Sequence, residues 1–132
     1  MSVLVLVVDD EPDIADLFRQ QFRHDLRQAR FALGFATSGP QALGLIAAAQ
    51  GRDIILLLSD INMPGMSGFD LLARARALRP DLPIIMITAY DDAATRSRAV
   101  AEGAEGLVAK PIDFTLLRIE IERRLAVREA RR

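Results

Sequence analysis

The chain has 132 residues, of which 51% are hydrophobic and 27% charged, and its 17 lysines and arginines nearly balance 18 aspartates and glutamates. This profile favours one globular domain and excludes a disordered chain. The net charge of −1 argues against a nucleic-acid-binding protein, and the absence of cysteine excludes disulfides and thiolate metal sites. The apolar N-terminal run is too short to cross a bilayer and lacks a basic start, so we expect a cytoplasmic protein that does not bind membranes.

The first half of the chain alternates between strand and helix patterns. Residues 3–8 form a short apolar run, which is typical of a strand buried on both faces. Pro12 stands where a helix begins, and large apolar residues then recur at a spacing of four, at Ile14, Phe18, Phe22 and Leu26. Large and small residues alternate over 31–36, which predicts a second strand. The capping-box pattern Ser38-Gly39-Pro40-Gln41 predicts a second helix, and Gly51 ends it.

The second half continues the same alternation. Further strands are predicted over 54–60, 84–88 and 107–109, each a short apolar run that ends in polar residues. A helix that begins at Ser67 and another that begins at Asp92 connect them. With the last helix described below, the chain contains five β-α repeats, and this order predicts a parallel sheet with helices on both faces.

The last predicted helix follows Asp113, and its apolar stripe consists of Leu117, Ile121 and Leu125. The helical pattern continues through the arginine-rich residues 126–132. We therefore assign residues 1–125 to the folded domain and residues 126–132 to a helical extension. The extension is either a solvated helix end or a connector to a further domain, and charge alone does not decide between them.

Polar residues follow four of the apolar strands: Asp9 and Asp10, then Asp60, Thr88 and Lys110. Parallel strands end at one edge of the sheet, where open α/β sheets place their sites. Two like charges about 4 Å apart repel by about 4 kcal/mol at an effective dielectric constant near 20, so three carboxylates there need a cation unless one of them is protonated. Oxygen ligands without His or Cys suit Mg²⁺, with Mn²⁺ as an alternative ion.

The same edge has the groups that phosphoryl chemistry needs. A carboxylate so placed can act as a nucleophile and become an acyl phosphate. The ammonium of Lys110 and the hydroxyl of Thr88 would contact the phosphate oxygens. Each residue alone has an ordinary explanation, as a helix cap, a surface lysine or a strand threonine. Their joint position at strand carboxyl ends is what indicates a functional site.

Four motifs, in this order and spacing, extend the argument to nearly the whole chain: Val7-Val8-Asp9-Asp10-Glu11-Pro12, the run 59–68, Thr88-Ala89 and Lys110-Pro111. With these motifs the chain resembles the receiver domain of two-component response regulators. The resemblance implies a flavodoxin-like (βα)5 fold with a five-stranded parallel sheet in the order 2-1-3-4-5.

The resemblance also implies a role for each motif residue. Asp60 would accept phosphate from a sensor histidine kinase or a histidine phosphotransfer protein. Mg²⁺ would be bound by Asp9, Asp10, Asp60 and the backbone carbonyl of Asn62. The phosphate would be contacted by Thr88, Ala89 and Lys110. The Lys110-Pro111 peptide bond would be cis. The domain would act as a signalling switch and not as an enzyme, beyond its own phosphorylation and dephosphorylation. It would act on an unidentified output domain or target protein. A homodimer could form through the fourth helix, the fifth strand and the last helix.

Two departures from the family pattern lead to specific expectations. The segment between Asp10 and Asp60 is longer than usual, with the surplus between Phe22 and Phe31, so we expect the first helix to be extended by a turn or more. Leu107 stands where the family often has an aromatic residue. An aromatic rotamer switch is therefore absent at that position, and Leu107 and Tyr90 are secondary switch candidates.

Three alternatives remain open at this stage. A phosphatase with an aspartyl intermediate would have an Asp-x-Asp pair and a cap domain, whereas Asp9 and Asp10 are adjacent and no insertion is large enough for a cap. A nucleotide or flavin module would have a glycine-rich loop after the first strand, which the sequence lacks. A receiver that only binds partners would not need the complete set of polar residues, and a phosphodonor assay distinguishes it.

Overall fold

The protein is described here by a computed structural model that covers residues 3–48 and 53–130. In chain order its elements are β1 (Val3–Val8), α1 (Asp13–Gln21), α2 (Arg23–Arg27), β2 (Ala32–Ala36), α3 (Gly39–Ala48), β3 (Asp53–Asp60), α4 (Gly68–Leu78), β4 (Ile84–Thr88), α5 (Ala93–Ala101), β5 (Gly106–Ala109) and α6 (Phe114–Ala130). The predicted helix end at Gly51 lies outside the described residues.

The five strands form one parallel sheet in the order β2-β1-β3-β4-β5, which confirms the predicted fold. Alternate side chains of β1 enter two separate apolar clusters, because successive residues of a strand point to opposite faces. Val3, Val5 and Val7 belong to the cluster that α1 and α6 cover. Leu4 and Leu6 belong to the cluster on the other face, which α3, α4 and α5 cover. None of the helices in 3–48 and 53–130 combines the length and apolarity needed to cross a membrane.

The prediction of one extended first helix is wrong. The helical segment continues to Arg27, but α1 ends at Gln21 and a separate short helix, α2, follows. The break is at Phe22, whose φ of −108° and ψ of 19° are not helical. The Phe22 side chain is fully buried, and its ring centroid lies 5.7 Å from that of Phe31 and 6.0 Å from that of Phe114. The break keeps this ring in the core and turns α2 toward α6, which gives six helices instead of five.

A network of ion pairs attaches α2 to α6. Asp25 is only 4% exposed, and its carboxylate pairs with Arg118 of α6 and with Arg30, the latter at 2.8 Å. Arg30 also binds Glu122 of α6 at 2.5 Å. Burial acts to raise the pKa of Asp25, but the hydrogen bonds and charges of Arg118 and Arg30 outweigh it and hold that pKa below its usual value. We call Asp25, Arg30, Arg118 and Glu122 the latch.

The arginine-rich end of α6 is not a freely solvated helix end. Arg128 is only 15% exposed in its side chain and forms an ion pair with Asp53 at the start of β3. Arg124 similarly pairs with Glu105, 3.3 Å away, just before β5. These contacts hold the last turns of α6 against the amino edge of the sheet.

Candidate functional site

The predicted site residues meet at the carboxyl edge of the sheet. Val8, the last residue of β1, is in register with Ser59 of β3, and Asp60 is in register with Ile87 of β4. Thr88 of β4 is in register with Ala109 of β5, directly before Lys110. The residues that follow each strand therefore surround one crevice.

Three carboxylates form the centre of this crevice. One oxygen each from Asp9, Asp10 and Asp60 lie within 4.8 Å of one another. Asp9 is 2% exposed and Asp60 5%, whereas Asp10 is exposed at the rim. The Lys110 Nζ lies 3.2 Å from Asp60 Oδ2 and 3.3 Å from Asp9 Oδ2, so a single ammonium forms ion pairs with two buried carboxylates.

The electrostatics of the crevice show that one lysine does not fully compensate the acids. Burial, followed by the negative charge of Asp9, raises the pKa of Asp60 above its ordinary value despite the opposing effect of Lys110. Burial would lower the pKa of Lys110, but the charges of Asp60 and Asp9 outweigh it and raise that pKa. Three carboxylates beside one ammonium leave an excess of negative charge that a further cation would neutralise.

The donor set of the crevice fits a hard divalent cation. Asp9 Oδ1 accepts a hydrogen bond of 2.9 Å from the backbone N–H of Glu11. Asp9 Oδ2 is buried without a well-formed hydrogen bond to the described residues, and its ion-pair partner, the Lys110 Nζ at 3.3 Å, is shared with Asp60. Buried carboxylate oxygens without partners are rare in native structures. An ion bound by oxygens alone would satisfy this atom, and Mg²⁺ and Mn²⁺ both accept such ligands.

The backbone around Asp60 and Lys110 is tightly constrained. Gly68, the first residue of α4, donates its N–H to the carbonyl of Ile61 at 2.8 Å. A Cβ at Gly68 would lie 2.7 Å from the Cα of Ile61 and would also collide with the carbonyl of Asp60, so only glycine fits there. The Lys110-Pro111 peptide bond is cis. Gly68 lies within the motif 59–68, but the motif does not predict this role, because the contact depends on how α4 packs against the end of β3.

A side chain of the following loop is packed just as tightly. Met66 occupies the space where a Cβ of Gly39, at the start of α3, would stand, with its Cγ 2.9 Å from that position. Met63 is also buried, in the cluster that α3 and α4 cover. These two methionines attach the loop that carries Asn62 to the body of the domain.

Thr88 is buried, and its hydroxyl is already engaged. The Thr88 Oγ1 accepts a hydrogen bond of 2.9 Å from the N–H of Tyr90 and donates one of 3.2 Å to the Tyr90 carbonyl. Tyr90 itself is 68% exposed, so its ring does not fill the space beside Thr88. Leu107 is in register with Met86, two residues before Thr88, and packs on the same side of the sheet. Ala89 is exposed beside the crevice.

Comparisons with known proteins agree with this geometry. Residues 5–122 match the family model of the response regulator receiver domain. Sensory transduction protein RegX3 of Mycobacterium tuberculosis is 39% identical over 107 residues, which cover 81% of this chain and 44% of RegX3. The C4-dicarboxylate transport transcriptional regulatory protein DctD of Rhizobium meliloti is 35% identical over 129 residues, or 93% of this chain and 26% of DctD. The chain therefore spans less than half the length of these two relatives.

A solved structure has the same fold over the full length. The response regulator receiver domain protein (CheY-like) from Methanospirillum hungatei aligns with a TM-score of 0.82 at 26% sequence identity, and the alignment covers 100% of both chains. CheY4 of Vibrio cholerae aligns with a TM-score of 0.77 at 29% identity, over 93% of this chain and 98% of CheY4.

Proposed function

The chain belongs to the response regulator receiver domain family, and we propose that its Asp60 accepts a phosphoryl group from a phosphohistidine of a sensor histidine kinase or a histidine phosphotransfer protein. We propose that the domain acts in signalling and that its chemistry is limited to its own phosphorylation and dephosphorylation. The observation that carries the assignment is the meeting of Asp9, Asp10 and Asp60 within 4.8 Å, beside a lysine 3.2 Å from Asp60.

In the proposed reaction, a carboxylate oxygen of Asp60 attacks the phosphorus of the phosphohistidine. A P–O bond to Asp60 forms, the P–N bond breaks, and the donor imidazole leaves and takes up a proton. Lys110, already at Asp60, would stay near the transferred group and pair with one of its oxygens. The low exposure of Asp60 restricts attack to a donor that enters the crevice.

We further propose that Asp9, Asp10, Asp60 and the backbone carbonyl of Asn62 hold Mg²⁺, with Mn²⁺ as a substitute. When bound, the ion would stabilise negative charge on the phosphoryl group during transfer. Asp9 would contribute its buried Oδ2, which is fixed in place because the backbone N–H of Glu11 binds the other oxygen of that carboxylate. Asp10, exposed at the rim, would close the ligand set on the solvent side.

Phosphorylation would be transmitted through Thr88. Its hydroxyl now bonds the backbone of Tyr90, and a phosphoryl oxygen on Asp60 would compete for the same hydroxyl proton. The loop that begins at Ala89 would then be released toward the crevice, where the N–H of Ala89 would reach the phosphate. Movement of Thr88 would be accommodated by Leu107 or by Tyr90, without an aromatic rotamer at 107. The readout face would consist of α5, β5 and α6.

We retain the division of the chain into a receiver domain over 1–125 and an extension over 126–132. The helix α6 continues through Ala130, and residues 131 and 132 lie outside the described residues. We propose that the extension connects to an output domain or target-binding segment, since the relatives named above are much longer than this chain. We also propose that two copies of the domain can form a homodimer through the readout face of α5, β5 and α6.

Labelling with a small phosphodonor tests the acceptor. We expect acetyl phosphate to phosphorylate the wild-type protein in Mg²⁺, and beryllium fluoride to form a phosphate-like adduct with it, whereas Asp60→Asn should remain unmodified by either. Asp81→Asn, a change of the same chemistry at the opposite edge of the sheet, should be labelled like the wild type. Equal labelling of Asp60→Asn, or undiminished labelling of the wild type in EDTA, would contradict the proposal.

A further inference from the structure

A group of arginines on the outer side of α1 and α2 has no role in the crevice chemistry. Arg19, Gln20, Arg23, Leu26 and Arg27 line a shallow cavity of about 620 Å³. We call Arg19, Arg23, Leu26 and Arg27 the basic face. No carboxylate lines the cavity, although acidic residues outnumber basic ones in the whole chain. The positive charge here is therefore local.

Two of the three arginines are available to a partner. Arg23 and Arg27 are exposed, and among the described residues neither side chain has an ion-pair, hydrogen-bond or aromatic partner. Arg19 is partly engaged, with Asp16 at 3.4 Å and with the ring of Phe35, whose centroid lies 4.7 Å from its guanidinium carbon. Two exposed arginines beside one cavity, without a carboxylate partner in the described part of the chain, are complementary in charge to an external acidic ligand.

The basic face is held in a fixed position. Its two available arginines are the first and last residues of α2, and the buried Asp25 between them is part of the latch to α6. Arg118 of the latch also donates to the carbonyl of Gln21, at the end of α1, at 3.0 Å. A short isolated helix would not be stable in water, so these contacts are what present Arg23 and Arg27 together.

The basic face is remote from the crevice. The nine-residue α1 begins next to the acidic cluster and extends about 13 Å away from it. The short α2 then leads into the start of β2, at the amino edge of the parallel sheet. A ligand on this face would therefore leave Asp60 accessible to a phosphodonor.

We propose that the basic face docks an acidic helix of a partner protein. Arg23 and Arg27 lie one helical turn apart, about 6 Å along the axis, which is the spacing of carboxylates four residues apart on a partner helix. Leu26, which is partly buried against the core, also lines the cavity, and its accessible part offers an apolar contact beside the two arginines. The net charge of −1 and the small size of the patch fit a protein helix better than a nucleic-acid backbone, which needs a longer basic track.

A synthetic amphipathic peptide of about 18 residues, with leucines on one side and glutamate pairs at a spacing of four, tests this proposal. Its binding to the full chain is measured by fluorescence anisotropy at low salt. We expect Arg23→Gln/Arg27→Gln to weaken binding about fivefold, as the loss of two exposed ion pairs implies. Arg74→Glu, which alters net charge equally at an exposed arginine of α4, should leave binding unchanged. A peptide with glutamine in place of glutamate should bind less tightly.

Three results would overturn the proposal. The first is equal loss of binding in Arg74→Glu and in the double variant, since this would mean unspecific charge attraction. The second is unaltered binding in the double variant, or no binding by the wild type. The third is tighter binding of a DNA duplex than of the peptide, with the same dependence on Arg23 and Arg27. Labelling of Asp60 by acetyl phosphate does not depend on any of these results, so the two proposals fail separately.

Discussion

Removal of Asp10 is expected to stabilise the protein when no divalent cation is present. The oxygens of Asp9, Asp10 and Asp60 lie within 4.8 Å of one another, and two charges at that distance repel by about 0.9 kcal/mol in water or about 3.5 kcal/mol at an effective dielectric constant of 20. Because Asp10 is exposed and Lys110 is close to the other two acids, the lower figure applies. We expect Asp10→Ala to gain about 1 kcal/mol in EDTA, or a rise in Tm of about 4 °C.

The sign should reverse when Mg²⁺ is added. A ligand at a hundred times its Kd stabilises the folded state by about 2.7 kcal/mol, and Asp10→Ala should lose most of this gain because it lacks one of the proposed ligands. Thermal and urea unfolding are measured for both proteins in EDTA and in millimolar Mg²⁺.

Two further variants isolate the cause. Asp10→Asn keeps the shape of the side chain and should follow Asp10→Ala, if charge is the reason. Asp81→Ala removes an exposed acid at the opposite edge of the sheet and should show neither effect. If Asp10→Ala is less stable than the wild type in EDTA, Asp10 has a structural role and the repulsion argument is wrong.

Other contacts and one backbone angle have consequences that can be measured. Because burial and Asp9 raise the pKa of Asp60, its ionisation destabilises the metal-free fold at neutral pH. Asp60→Asn should therefore unfold at a higher urea concentration than the wild type. This difference in stability should shrink as the pH falls through the folded-state pKa of Asp60 toward 3.8. Asp25→Asn should lose about 1–3 kcal/mol, less than a fully buried pair would, because Arg30 and Arg118 are partly exposed. The lowered pKa of Asp25 means that this loss is complete above pH 3.8 and disappears in stronger acid, and a flat pH profile would contradict it. Ala29 has a φ of 54°, so Ala29→Gly should raise the free energy of unfolding by about 1 kcal/mol, and a decrease would mean that the turn after α2 tolerates alanine. Hydrogen exchange with and without beryllium fluoride should change most over residues 89–110 outside the crevice, and larger changes in α1 would refute the proposed readout.

Local patterns were sufficient for the elements because each is governed by residues close in sequence. Ser67, the predicted start of a helix, accepts a hydrogen bond of 3.2 Å from the N–H of Asp70, and the Asp70 side chain accepts one from the N–H of Ser67. Asp92 similarly caps α5 by accepting a bond of 2.7 Å from Thr95. The short apolar runs form buried strands because both faces of the sheet are covered by helices.

The sequence by itself also placed the acidic residues at one edge, because parallel strands joined by helices end on the same side. What it could not determine depends on residues far apart in the chain. Asp25 and Arg118 meet only when α2 and α6 pack together, and the Phe22 ring, at the break between α1 and α2, contacts Phe31 and Phe114 only in the folded chain. The engagement of the Thr88 hydroxyl by Tyr90 is set by the path of a loop. The periodicity of apolar residues predicts which side of a helix or strand is buried. Tertiary packing decides which other element that side contacts, because contact energies are gained only after the elements are assembled.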